Sequence, residues 1–162
     1  MIVIADTSPL NYLVLLGKSE ILPALYGRVL APAAVLKEMS HADAPELVRK
    51  WAASPPAWLE MVHVQKMDAT LSGLLGPGER EAISVALELH ADLLLIDERA
   101  GRQEAETRQL QVAGTLAVLL RAGILGMVEF PNALREVQRL GFRVSPQIEA
   151  AMLAKYRQLS SE

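Results

Sequence analysis

Four carboxylates stand against apolar segments of this chain. Asp6 closes the run Ile2-Val3-Ile4-Ala5, Glu38 lies between Val35-Leu36 and Met39, Glu79 comes one helical turn before Ala82-Ile83, and Asp97 closes Leu93-Leu94-Leu95-Ile96. A charge set beside a buried apolar segment costs several kcal/mol unless it is paired or binds a metal. Four of them together outline a carboxylate metal site, and hard oxygen ligands of this kind select Mg²⁺ or Mn²⁺. Each residue also has a plainer role open to it. Asp6 would serve as the N-cap of the next helix, and Glu79 as an acidic group at a helix start, meeting free amides and the dipole. Glu38 falls on the flank of its helix's apolar arc, where a solvated or salt-bridged residue would do, and Glu98 is a second choice beside Asp97. Thr7 and Ser8 carry hydroxyls that either cap the first helix or hydrogen-bond a carboxylate or its water.

Other chemistries find little support. His41, His63 and His90 have no partner at i,i+4, and with no cysteine in the chain a zinc site of the usual spacing is excluded. Gly76-Pro77-Gly78 lacks the Gly-Lys-Ser/Thr ending of a phosphate loop, and no Gly-x-Gly-x-x-Gly follows the first strand. Ser8 has no accompanying His arrangement for a hydrolase triad.

The elements that must position these groups follow from apolar periodicity and chain breakers. Ile2 to Ala5 and Asp92 to Asp97 read as strands buried on both faces, and Arg28 to Ala31 and Gln111 to Ala113 as shorter ones. Trp58 to Val64 resembles a strand or an edge segment. Helices are expected from Thr7/Ser8 to Gly17, Ser19 to Tyr26, Pro32 onward, Pro45 to Ala53, Glu79 to His90 and Arg99 to Gln109. A further helix starts at Gly114-Thr115 and is ended by Gly123, and two more span about Pro131 to Leu140 and Pro146 to Leu159. Strands alternating with helices in one short chain predict an α/β fold, a parallel sheet with helices on both faces. At about 100° per residue, Glu79 points into the arc of Ala82, Ile83, Ala86 and Leu89, while Glu81 and Glu88 point away. Asp6 and Asp97 would meet beyond the carboxyl ends of their strands, where open α/β sheets place ligands, if those strands are neighbours.

At 162 residues, 51% hydrophobic and 4% aromatic, the chain fits a single domain, residues 1–162, with an aliphatic core. Its formal net charge of -3 excludes holding nucleic acid by overall charge, so any such contact must be local. Arg99 and Arg102 are the candidates for phosphate contacts, with surface ion pairing to nearby glutamates as the competing use. No uninterrupted apolar run reaches about 18 residues and an acid interrupts the start, so no membrane span is expected and a cytoplasmic location is.

The segments Ile4-Ala5-Asp6-Thr7-Ser8-Pro9-Leu10, Val35-Leu36-Lys37-Glu38, Gly78-Glu79-Arg80-Glu81-Ala82-Ile83 and Leu94-Leu95-Ile96-Asp97-Glu98-Arg99 together resemble a PIN domain over most of the chain. Asp97-Glu98-Arg99 followed by Gly114-Thr115 is similar to a prokaryotic branch related to VapC-type toxins. The resemblance implies a PIN-like three-layer fold with a central parallel sheet flanked by helices. It also implies a Mg²⁺- or Mn²⁺-dependent ribonuclease whose acidic quartet is Asp6, Glu38, Glu79 and Asp97, the toxin of a toxin–antitoxin pair. RNA as substrate, an antitoxin protein as partner and a homodimer follow as expectations, the last two through apolar surface on Leu10 to Leu16 and Ile21 to Leu25 unless core packing covers it. Two departures stand out: Glu79 occupies a position where many members have Asp, and Leu95 replaces a small polar residue. The alternative is a catalytically weak PIN-like module that binds RNA or protein without cutting.

Overall fold

A computed structural model describes residues 1–160. It divides into two compact units, Met1–Gly114 and a second beginning at Thr115. The first unit holds a five-stranded parallel sheet in the order β3-β2-β1-β4-β5, made of β1 (Val3–Ala5), β2 (Val29–Pro32), β3 (Leu59–Val62), β4 (Leu93–Leu95) and β5 (Val112–Ala113). In β1, Val3, Ile4 and Ala5 are all completely buried, as an apolar run at the centre of a parallel sheet must be. β3 is an edge strand, with Leu59 buried and Glu60 and Met61 exposed.

The chain lays down β1, β2 and β3 outward in one direction and then returns to place β4 on the other side of β1. Ala5 pairs with Leu95, and the Asp6 N–H donates to the Leu95 carbonyl at 2.9 Å. The sheet therefore reverses its order between the two strands that run into Asp6 and Asp97. Crevices at such a switch point, beyond the strands' carboxyl ends, are where α/β sheets bind ligands.

Six helices complete this unit: α1 (Thr7–Leu15), α2 (Ile21–Tyr26), α3 (Ala33–Met39), α4 (Glu46–Ala53), α5 (Pro77–Glu88) and α6 (Arg99–Thr107). α5 packs on β1, β2 and β4 and also touches α3. Its Ala82, Ile83, Val85 and Ala86 join Ile4, Leu30, Leu94 and Ile96 in the core. Leu10, Leu13 and Val14 of α1 and Ile21 and Leu22 of α2 are buried, so core packing takes up most of the aliphatic surface of these two helices.

The second unit contains α7 (Thr115–Ile124), α8 (Phe130–Arg139) and α9 (Pro146–Ser160), with α7 packed on both others. The expectation that Gly123 ends α7 is wrong. The helix runs through it to Ile124, because Gly123 is a close-approach residue: a Cβ there would fall 2.6 Å from Phe130 Cβ and 3.3 Å from Tyr156 Cε1. The left-handed conformation that stops the chain is at Gly126, φ 77°. The other difference concerns α5, which begins at Pro77 and not at Glu79; Gly76 is the N-cap and proline suits the first helical position. Among the described residues no helix is long and apolar enough to cross a membrane.

Candidate carboxylate centre

Asp6 is the N-cap of α1, with an extended backbone and only 3% of its surface exposed. It makes no side-chain cap hydrogen bond to α1, and its Oδ1 is buried with no partner. Burial pushes its carboxyl from an ordinary 3.8 up to about 7; the nearby Thr7 backbone N–H offsets part of that rise, and the charges of Glu79, Glu38 and Asp97 add to it. The three other carboxylates are thus close enough to be felt at Asp6, each delivered by a different element.

Because α5 starts at Pro77, Glu79 is the third residue of its first turn and its Oε1 accepts from the Gly76 N–H at 3.2 Å. This is half of a capping box, and it occupies one oxygen only. Glu79 Oε2 is buried without a partner. Burial raises the Glu79 carboxyl, the Gly76 hydrogen bond opposes this, and the charges of Glu98 and Glu38 raise it further. Glu98, the N-cap of α6, is itself exposed, so its influence on Glu79 is that of a neighbouring charge.

Glu38, on α3, is half-buried and forms no ion pair among the described residues. Its Oε2 accepts from Thr7 Oγ1 at 2.6 Å and its Oε1 from the Gly78 N–H at 2.9 Å. Asp97 Oδ2 accepts from Ser8 Oγ at 2.7 Å. Thr7 and Ser8 lie inside α1 and do not cap it; their hydroxyls reach sideways to carboxylates on two other elements. One helical turn therefore holds Glu38 with one residue and Asp97 with the next.

Three glycines make room for this arrangement. A Cβ on Gly78 would lie 2.8 Å from Glu38 Oε1, one on Gly101 2.7 Å from Glu79 Oε2, and one on Gly114 2.8 Å from Asp97 Oδ1. None of the three was singled out from sequence as shaping the site. The available signal was Gly101, a glycine in the interior of a helix, where alanine would be favoured by about 1 kcal/mol.

Arg102 Nη1 comes within 3.8 Å of the position a Gly114 Cβ would take, beside Asp97. Neither Arg99 nor Arg102 forms an ion pair among the described residues. Arg108 does: its guanidinium binds Asp68 at 3.0 Å and Glu104 at 2.6 Å and donates to Thr70 Oγ1 at 2.8 Å, pinning the segment before α5 to α6.

The donor set is oxygen-only and anionic, and the unpartnered buried oxygens of Asp6 and Glu79 are what a hard cation would satisfy. In that respect the residues fit a divalent ion. As placed, no three His, Asp or Glu side chains among the described residues are grouped closely enough to hold one. Like charges brought together without a counter-ion repel, and bringing the carboxylates inward requires side-chain rotation.

A parallel α/β sheet with acidic residues gathered at its switch point defines the class of this protein. The family model described as DUF3368, a PIN domain, matches residues 2–158, and the chain belongs to that PIN-domain family. PIN domains are commonly nucleases and typically bind divalent metals. The fold is similar to that of a PilT N-terminus domain protein from the hyperthermophilic archaeon Sulfolobus solfataricus P2, with a TM-score of 0.52 and 14% identity over 90% of this chain and 98% of that chain. No curated protein matches the chain.

Proposed function

We propose that this protein is a metal-dependent RNA endonuclease, with Asp6, Glu38, Glu79 and Asp97 as the ligands of Mg²⁺ or Mn²⁺ and as its catalytic residues. The observation that carries this reading is the buried, partnerless pair of oxygens, Asp6 Oδ1 and Glu79 Oε2, among four carboxylates at the switch point. A cluster built only to cap helices would not leave two acceptors buried and unused.

What a bound divalent ion supplies in such a site is a water of lowered pKa and positive charge against the leaving oxygen. The chain's own residues do the rest. Thr7 and Ser8 fix the orientation of Glu38 and Asp97, and the Gly76 and Gly78 amides hold one oxygen each of Glu79 and Glu38. Glu98 adds negative charge beside Glu79 and is the further carboxylate for an outer contact. Arg99 and Arg102, at the Asp97 edge and without ion-pair partners, bind backbone phosphates of the RNA. A role as the toxin of a VapC-like toxin–antitoxin pair, working in the cytoplasm with an antitoxin as partner and as a homodimer, completes the proposal on family resemblance.

Purified protein incubated with single-stranded or structured RNA should cut it in Mn²⁺ or Mg²⁺ and stop when EDTA is added. Asp6→Asn should lower the rate by orders of magnitude with the fold retained. Cleavage that survives both EDTA and Asp6→Asn would overturn the assignment. RNA binding without any cleavage would favour the non-cutting module.

A further inference from the structure

A cleft of about 740 Å³ opens beside Glu38, in the size range of small-molecule sites. Its walls come from three helices of the first unit and the segment after α3. Asn11 lies on α1 one turn beyond Thr7, which holds Glu38; Lys37 and His41 flank Glu38 at the C-terminal end of α3; Pro77 and Glu81 belong to α5. Continuity with the carboxylate centre is direct, since Glu38 belongs to both.

We propose that this cleft receives an adenine base of the substrate strand and that Asn11 is the residue that selects it; the inference rests on the ribonuclease reading above. Asn11 Oδ1 is buried with no hydrogen-bond partner, and its amide nitrogen donates to no described residue. In either orientation of the amide, one donor and one acceptor are left unused. Turned about χ2 so that its buried oxygen faces the cleft, a carboxamide of that kind pairs at two points with adenine N6 and N7, whereas guanine presents two acceptors there. Glu81 strengthens the choice. Its Oε1 accepts from the Ala34 N–H at 3.1 Å, which holds an acceptor-only group in the cleft wall, attractive to an exocyclic amino group and repulsive to guanine O6. His41 supplies a flat ring at the rim, its Nδ1 accepting from the Asp43 N–H at 3.1 Å, and unstacked RNA bases rest on such rings. Pro77, Ala33 and Ala34 offer the apolar surface that a base face covers.

The test has two arms. In the first, the wild-type protein in Mn²⁺ cuts a single-stranded RNA with a randomised central block and the ends are sequenced. Adenine should be enriched at one fixed position relative to the cut, and Asn11→Ala should lower that enrichment about tenfold, as expected for loss of a two-point side chain–base contact. Cleavage with no base preference, or with an adenine preference unchanged in Asn11→Ala, overturns the cleft assignment and leaves the ribonuclease reading intact. In the second arm, the full chain in EDTA is titrated with AMP, GMP, CMP and UMP while the Asn11 side-chain amide signals are followed by NMR. AMP should move them more than the other three; no movement with AMP overturns the assignment. Absence of wild-type cleavage in Mn²⁺ sinks the ribonuclease reading itself, and the nucleotide titration then decides the cleft alone.

Discussion

In the absence of metal, Asp6 should work against folding at neutral and alkaline pH. Its carboxyl, raised from 3.8 to about 7 chiefly by burial, binds its proton more tightly in the folded than in the unfolded chain. Between about pH 4 and 7 the folded state thus holds the extra proton, and stability falls as pH climbs through that window. The loss is complete above the folded-state value. At ~1.36 kcal/mol per tenfold change in proton affinity, the rise amounts to about 4 kcal/mol. Asp6→Asn keeps the shape and removes the charge, so in EDTA at pH 8 the variant should be the more stable protein by up to that amount, about 10 °C in Tm for a chain of this size. The two proteins should converge only below about pH 3, under the unfolded-state value of 3.8, where Asp6 is neutral in both states. Denaturant and thermal unfolding at pH 4.5 and pH 8 in EDTA would measure the gap. A variant no more stable than wild type at pH 8, or a gap of the same size at both pH values, would refute the reasoning.

Three further outcomes follow from the same geometry. Mn²⁺ at a hundredfold over its Kd should add about 2.7 kcal/mol to wild-type stability, and Asp97→Asn should shrink that gain; an undiminished gain by differential scanning calorimetry would place the ion elsewhere. Gly101→Ala, which puts a methyl 2.7 Å from Glu79 Oε2, should weaken Mn²⁺ binding at least tenfold by calorimetric titration while circular dichroism stays unchanged. The double change Arg99→Ala and Arg102→Ala should weaken RNA binding and flatten its dependence on salt by about one to two in log–log slope, and an unaltered slope would remove both from the RNA path.

The architecture was legible where apolar runs were long enough to define an element. Leu93 to Ile96 and Ile2 to Ala5 announced two central strands, and the breakers Gly17 and Ser54-Pro55-Pro56 marked real ends. What periodicity could not show was strand order, which decides that Asp6 and Asp97 meet; that depends on long-range pairing, as in Ala5 with Leu95. Gly123 misled because a glycine near a helix end carries the same local signal whether it stops the chain or lets a neighbour approach. The hydroxyls of Thr7 and Ser8 left two uses open for a similar reason: a serine or threonine after a strand is a common cap, and only the arrival of Glu38 and Asp97 from other elements decides for the carboxylates. Asn11 carried no periodic signal at all, since its importance comes from the space left between α1, α3 and α5.

The glycines behind the carboxylates bear on how such a protein could be engineered. Gly78 and Gly101 sit within helices, where alanine gains about 1 kcal/mol in helix propensity, and a programme of stabilising substitutions would choose those positions early. Each alanine would favour the helical backbone and crowd a carboxylate in the same stroke, and at Gly101 the methyl would also press on the buried Ile96 side chain, 2.7 Å away. Wherever the neighbours yield enough for the helix gain to prevail over that crowding, a version selected for yield or melting temperature alone would drift toward an intact, well-expressed protein with a closed acidic centre, and selection would need an ion-binding readout beside the stability readout to keep the centre open.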